Sequence, residues 1–203
     1  MTKPVPALDK SAKIFVTGHR GFAGSAVVRA LEQRGYTNLL LRSHSELDLT
    51  DQRAVHEFFQ TEKPEYVFNL AAKMGGILAA MTESAEFIYE NLMIQSNVIQ
   101  SAYLSGVKKL LFVSSTSIFP RDCPQPIKEE HLLTGPMEPT NLSYAIARIA
   151  GIVMCQAYDK QYGTRFISAP LGAVALAAEQ IATSGRPVAR LPEPATPTRR
   201  WTS

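Results

Sequence analysis

The chain has 203 residues, 45% hydrophobic and 19% charged, with a formal net charge of +3; that length suits one well-buried domain, and the composition excludes a disordered chain. Basic and acidic residues are interspersed, which speaks against a nucleic-acid footprint, and Cys123 and Cys155 lack both disulfide-framework and metal-ligand spacing, so no metal is expected. Met1 to Ser11 has no leader pattern and no stretch has the length and apolarity to span a bilayer, so a soluble cytoplasmic protein is expected.

From Lys13 onward, apolar runs alternate with helix-like segments, the pattern of successive strand–helix units in a parallel sheet. Lys13 to Thr17 is the first predicted strand, and Ser25 to Arg34 the first helix, stopped by Gly35. Leu39 to Arg42 follows as a strand, then a loop through Asp48 and a helix from Asp51 to Gln60. Tyr66 to Asn69 is the third strand. Helical spacing of Phe87, Ile88, Leu92, Ile94, Val98, Ile99 and Ala102 predicts a helix over Ala85 to Ser105 with one face on the sheet. Leu110 to Val113 is the fourth strand, Pro120 to Pro139 a proline-rich loop, Asn141 to Tyr162 a long helix, and Arg165 to Ser168 a fifth strand at a sheet edge.

The expected architecture is an α/β, Rossmann-type doubly wound parallel sheet over residues 13–168, truncated, with an irregular C-terminal tail. Residues 1–12 are expected to be flexible. Residues 169–203, rich in Pro, Arg and Thr beyond a possible short helix at Leu171 to Thr183, are expected to be a divergent and largely disordered tail.

Gly18-x-x-Gly21-x-x-Gly24 lies between the first strand and the first helix. A dinucleotide-binding fold needs a sharp turn and a close backbone approach to pyrophosphate at that place, so Gly18, His19, Arg20, Gly21, Phe22, Ala23 and Gly24 form the candidate cradle. Taken alone, the pattern also fits a tight turn in another α/β fold. At the end of the second strand an acidic residue suits NAD and a basic one NADP; Arg42, with Arg20 in the loop, favours NADP, the alternative being two solvated surface arginines. Asp48 falls near the adenine end. Ala71 and Ala72 at the end of the third strand supply small side chains, which suit either a cofactor lying against the backbone or packing alone, and Leu70 beside them joins the candidate cofactor-binding residues.

A carbonyl reduction needs a proton donor beside the hydride source. Tyr144 and Arg148, four residues apart on one helix, place a phenol next to a cation, and Ser115 at the end of the fourth strand can hydrogen-bond a substrate oxygen. Each has a plainer reading: a strand-end hydroxyl, a half-buried aromatic, a solvated helix charge.

These motifs resemble the extended short-chain dehydrogenase/reductases, and within them the GDP-L-fucose synthase family. The resemblance rests on Val16 to Gly21, Glu46 to Asp51, Ala71 to Ile77, Asn91 to Gln95, and Leu133 to Pro136 running on to Tyr144 to Ala147. It covers about Lys13 to Ser168. It implies a GDP-sugar substrate, NADP as cofactor, epimerisation and reduction of GDP-4-keto-6-deoxy-D-mannose, and a homodimer built on the helices Ala85 to Ser105 and Asn141 to Tyr162, with no nucleic-acid or membrane partner. Arg148 stands where the family has lysine, contacting the cofactor, and Ser117 stands at the epimerase cysteine. The partner histidine and most of the nucleotide-sugar lobe have no counterpart. Impaired turnover is therefore expected, the alternative being a non-catalytic NADP-binding or dimer-forming fragment. An NAD-dependent sugar epimerase is disfavoured by Arg42.

Overall fold

The computed structural model describes residues 9–170; the expectations for the first eight residues and for the helix and tail after Pro170 lie outside the described residues. A five-stranded parallel sheet runs in the order β2-β1-β3-β4-β5, with β1 Ile14–Thr17, β2 Leu39–Leu40, β3 Tyr66–Asn69, β4 Lys109–Ser114 and β5 Phe166–Pro170. The helices are α1 Phe22–Gln33, α2 Gln52–Glu62, α3 Ile77–Thr82, α4 Ser84–Leu104 and α5 Leu142–Tyr162.

Side chains alternate across the pleat and divide the core in two. Phe15, Val67, Leu110, Phe112 and Phe166 point to one face, where Val55 and Phe59 of α2, Val98, Ile99 and Ala102 of α4, and Ile149, Ile152 and Cys155 of α5 close over them. Ile14, Val16, Phe68, Leu111, Val113, Ile167 and Ala169 point the other way and meet Val27 and Leu31 of α1. Strands buried on both faces read as continuous apolar runs, which is why they stand out in the sequence.

The expected strands and helices are present with shifted ends, and α3 is an additional, unexpected helix. β2 is shorter than expected and leaves Arg42 beyond it, while α1 begins at Phe22 and β5 extends past Ser168 to pair Pro170 with Ser114. Among the described residues β5 is an edge strand, as expected. Asp51 caps α2 by accepting the Ala54 N–H at 3.0 Å. The strand order reverses direction at β1, with β2 on one side and β3 on the other. The carboxyl ends of β1 and β3 therefore open onto the crevice where parallel α/β sheets bind ligands.

Candidate active site

At this crevice the chain ends of β1 and β3 nearly touch. Gly18 has φ +64, and a Cβ there would lie 2.9 Å from the Ala71 nitrogen, so a side chain fails on conformation and on space together. A Cβ at Gly24 would lie 2.0 Å from the Gly18 oxygen, so α1 can begin this close to the turn only as glycine.

Thr17 fixes the spacing. Its hydroxyl donates to Asn69 Oδ1 at 2.9 Å and accepts the N–H groups of Leu70 and Ala71, each at 3.0 Å. One donor and two lone pairs are thus all used, binding the end of β1 to the turn after β3. Asn91 does the same one step further out. Its amide accepts the Lys73 N–H at 3.1 Å and donates to the Lys73 and Phe87 carbonyls, pinning the Lys73 peptide to α4.

The result is a cavity of about 550 Å³ whose lining includes Gly18, His19, Arg20, Gly21, Arg42 and Asp48. Ala71 and Ala72 complete it from the β3 side. The α1 N-terminus beside it carries no side-chain cap and no acidic residue in its first turn, leaving its backbone N–H groups and positive dipole end to an anion. His19 Nδ1 is buried without a hydrogen-bond partner in the chain. A glycine turn that a Cβ would fill, an uncapped helix start and an unpaired buried imidazole nitrogen together fit a diphosphate of an extended nucleotide cofactor.

Several expected contributors sit differently. Phe22 opens α1 but is 91% exposed, and neither it, Ala23, Gly24 nor Leu70 lines the cavity. Gly24 and Leu70 instead act through the backbone described above. Arg42 lines the cavity with its guanidinium committed to Glu62, Nη2 to Oε1 at 3.0 Å, and lying over the Phe58 ring. Asp48 accepts the Thr50 N–H at 2.8 Å and its hydroxyl at 2.7 Å, bonds that hold its carboxylate below the usual range, the backbone bond contributing most. Lys73 lies between Glu90 and Glu83, at 3.6 and 3.5 Å, and its pKa is raised chiefly by the Glu90 charge.

Ser115, Ser117, Tyr144 and Arg148 do not line this cavity. They form a second group where α5 packs on the turn Thr116–Ile118 after β4. Ser115 Oγ accepts the Ser117 N–H at 3.2 Å and the Ser117 hydroxyl at 3.0 Å. Tyr144 and Arg148 share the inward face of α5, with the guanidinium carbon 5.9 Å from the Tyr144 ring centre. Arg148 is only 2% exposed. Its Nη2 donates to the Val113 carbonyl, its carbon stacks 4.3 Å from the Phe112 ring centre, and Nε and Nη1 have no partner. Burial pushes its pKa down.

The sequence reading missed Thr17, Asn69, Asn91 and Lys73 as builders of the site. Thr17 and Asn69 are strand-end polar residues in apolar runs, the one local hint available. The lining polar residues Ser43, His44 and Thr50 carried no hint. Among the described residues no group of three or more metal-ligating side chains occurs.

Residues 14–185 match the model of the NAD dependent epimerase/dehydratase family. The chain is 61% identical over 160 residues to GDP-L-fucose synthase 1 of Arabidopsis thaliana, covering 79% of this chain and 50% of that protein. It is 51% identical over 156 residues to the GDP-L-fucose synthase of Escherichia coli strain K12, covering 77% and 49%. Among solved structures, the GDP-mannoheptose C4 reductase MlghC of Campylobacter jejuni with NADP bound superposes with TM-score 0.77 at 46% identity, covering 79% and 51%. A GDP-L-fucose synthetase of Naegleria fowleri bound to NADP gives TM-score 0.74 at 29% identity, covering 82% and 55%. The chain spans about half the length of the curated relatives it matches.

Proposed function

The chain belongs to the NAD dependent epimerase/dehydratase family, and from that membership we propose that it is the NADP-binding half of a GDP-sugar epimerase/reductase of the GDP-L-fucose synthase kind, with turnover impaired. The observation that carries the cofactor reading is the closeness of Gly18 to Ala71 beside the unpaired His19 Nδ1, a cradle shaped for a diphosphate. Gly18 to Gly21, Arg42, Asp48, Ala71 and Ala72 are its cofactor-binding residues, with Gly24 and Leu70 shaping the backbone behind them.

When bound, NADPH would supply the hydride; the chain's own groups handle position and proton. Ser115 accepts two bonds from Ser117, which leaves its own O–H to donate to the substrate carbonyl oxygen, while the Tyr144 phenol gives the proton to the forming hydroxyl. Ser117, at the epimerase cysteine position, is a poor acid for protonating an enolate. Arg148, at the lysine position, spends its one hydrogen bond on Val113 and stays inside the core instead of turning to the cofactor's ribose. Both departures favour slow chemistry.

A second reading, a non-catalytic NADP-binding or dimer-forming fragment of the same family, is favoured by that enclosed Arg148. Leu78 and Met81 of α3, Tyr89 of α4, and Leu142, Ile146 and Val153 of α5 are exposed and apolar, which supports a homodimer through these helices. Among the described residues no helix is long and apolar enough to cross a membrane, in keeping with a cytoplasmic setting.

NADPH fluorescence titration followed by turnover of GDP-4-keto-6-deoxy-D-mannose tests both readings. Saturable NADPH binding with slow formation of GDP-L-fucose is expected. Binding with no product selects the fragment reading, normal product formation refutes impairment, and no NADPH signal at any concentration removes the cradle.

A further inference from the structure

The rim of the cavity at the end of β2 holds an anion of its own. Glu46 Oε2 accepts the backbone N–H of Ser43 at 2.7 Å and its hydroxyl at 2.6 Å. Ser43 lines the cavity beside Arg20, Arg42 and His44, while Glu46 is exposed just outside it. The Ser45 hydroxyl lies 3.1 Å from that of Ser43. The Glu46 carboxylate is held below its usual range, first by the Ser43 hydroxyl, then by the Ser43 N–H, with smaller contributions from the positive charges of Arg42 and Arg20.

A hydroxyl and a backbone N–H converging on one point, with two guanidinium side chains lining the same cavity, are a donor set suited to a phosphate monoester. Here a side-chain carboxylate already uses them. We propose that Glu46 tunes the choice of nucleotide by occupying the Ser43 donors and repelling a 2′-phosphate, so that the chain holds NADP less tightly than its arginines alone would allow. The inference rests on the NADP reading above. An unphosphorylated ribose brings no charge to this rim, and the Glu46 oxygen that faces it is already engaged by Ser43, so the repulsion falls on NADP and not on NAD. Arg42 sharpens the effect, because Glu62 already takes one edge of its guanidinium.

The test is titration of the full chain with NADPH and with NADH, for the parent, Glu46→Gln and Glu46→Ala. Glutamine keeps an acceptor for Ser43 and removes the charge; alanine removes both. Relief of one unit charge near a doubly charged phosphate is expected to tighten NADPH about three- to tenfold in either variant, with NADH unchanged to within about twofold. The gain should shrink in high salt. An unchanged NADPH-to-NADH affinity ratio overturns the proposal, as does equal weakening of both cofactors in Glu46→Ala, the mark of a simple loop brace. Failure of the NADP reading looks different: the parent chain then prefers NADH or binds neither nucleotide, and the proposal falls with it.

Discussion

Replacing Arg148 by methionine should make the chain more stable. The guanidinium is sealed between α5 and β4, and no carboxylate pairs with it among the described residues. Its two unpartnered nitrogens, Nε and Nη1, each cost about 1–3 kcal/mol when buried. Against this stand the bond to the Val113 carbonyl, about 1.5–3 kcal/mol, and stacking on Phe112, about 0.5–2 kcal/mol. Those contributions nearly cancel, and the desolvation of a cation without a counter-ion, several kcal/mol, then decides the sign. Methionine has a similar length, fills the slot with apolar atoms, and has a helix propensity close to that of arginine. A net gain of about 2 kcal/mol follows, which for a domain of this size raises the melting temperature by about 4–8 °C. Thermal unfolding followed by far-ultraviolet circular dichroism measures it. A melting temperature at or below that of the parent would refute the argument, because it would mean that the Val113 and Phe112 contacts outweigh an unpaired buried charge.

Gly24→Ala places a methyl carbon 2.0 Å from the Gly18 oxygen, so the turn must open; NADPH affinity is expected to fall more than about tenfold while the melt loses about 1–3 kcal/mol, and undisturbed titration curves would contradict the close-approach reading. Glu65 accepts from Lys108 and from the Lys13 N–H, which hold its carboxyl below its ordinary 4.5, the Lys108 bond first. A carboxyl depressed in the folded state stabilises at neutral pH and loses that contribution as pH falls through its folded pKa. Glu65→Gln should therefore melt lower near neutral pH and converge on the parent in acid, and parallel pH profiles would exclude the pairing.

The sheet and the glycine turn were legible in the sequence because their causes are local. Buried parallel strands demand unbroken apolar runs such as Leu110 to Val113, and the turn after β1 demands glycine at Gly18. α3 was not legible: Ile77, Leu78 and Met81 are all exposed, so no buried stripe imposes a helical period on Ile77–Thr82. The destination of Arg148 was hidden for another reason. Spacing of four residues from Tyr144 puts both on one helix face, but whether the guanidinium turns toward a ligand or into the sheet depends on the Val113 carbonyl, 35 residues away. The Thr17–Asn69 bond, across 52 residues, has the same character. Long-range polar contacts leave no periodic trace; they are fixed only when the strands have aligned.

The saturated hydroxyl of Thr17 has a consequence for how the two halves of the site age. It ties the end of β1 to the end of β3 and to the turn that follows, so the floor of the crevice is braced by bonds that involve no group of the Tyr144 helix. Substitutions around Tyr144 on α5 can therefore accumulate while the crevice at the ends of β1 and β3 keeps its form.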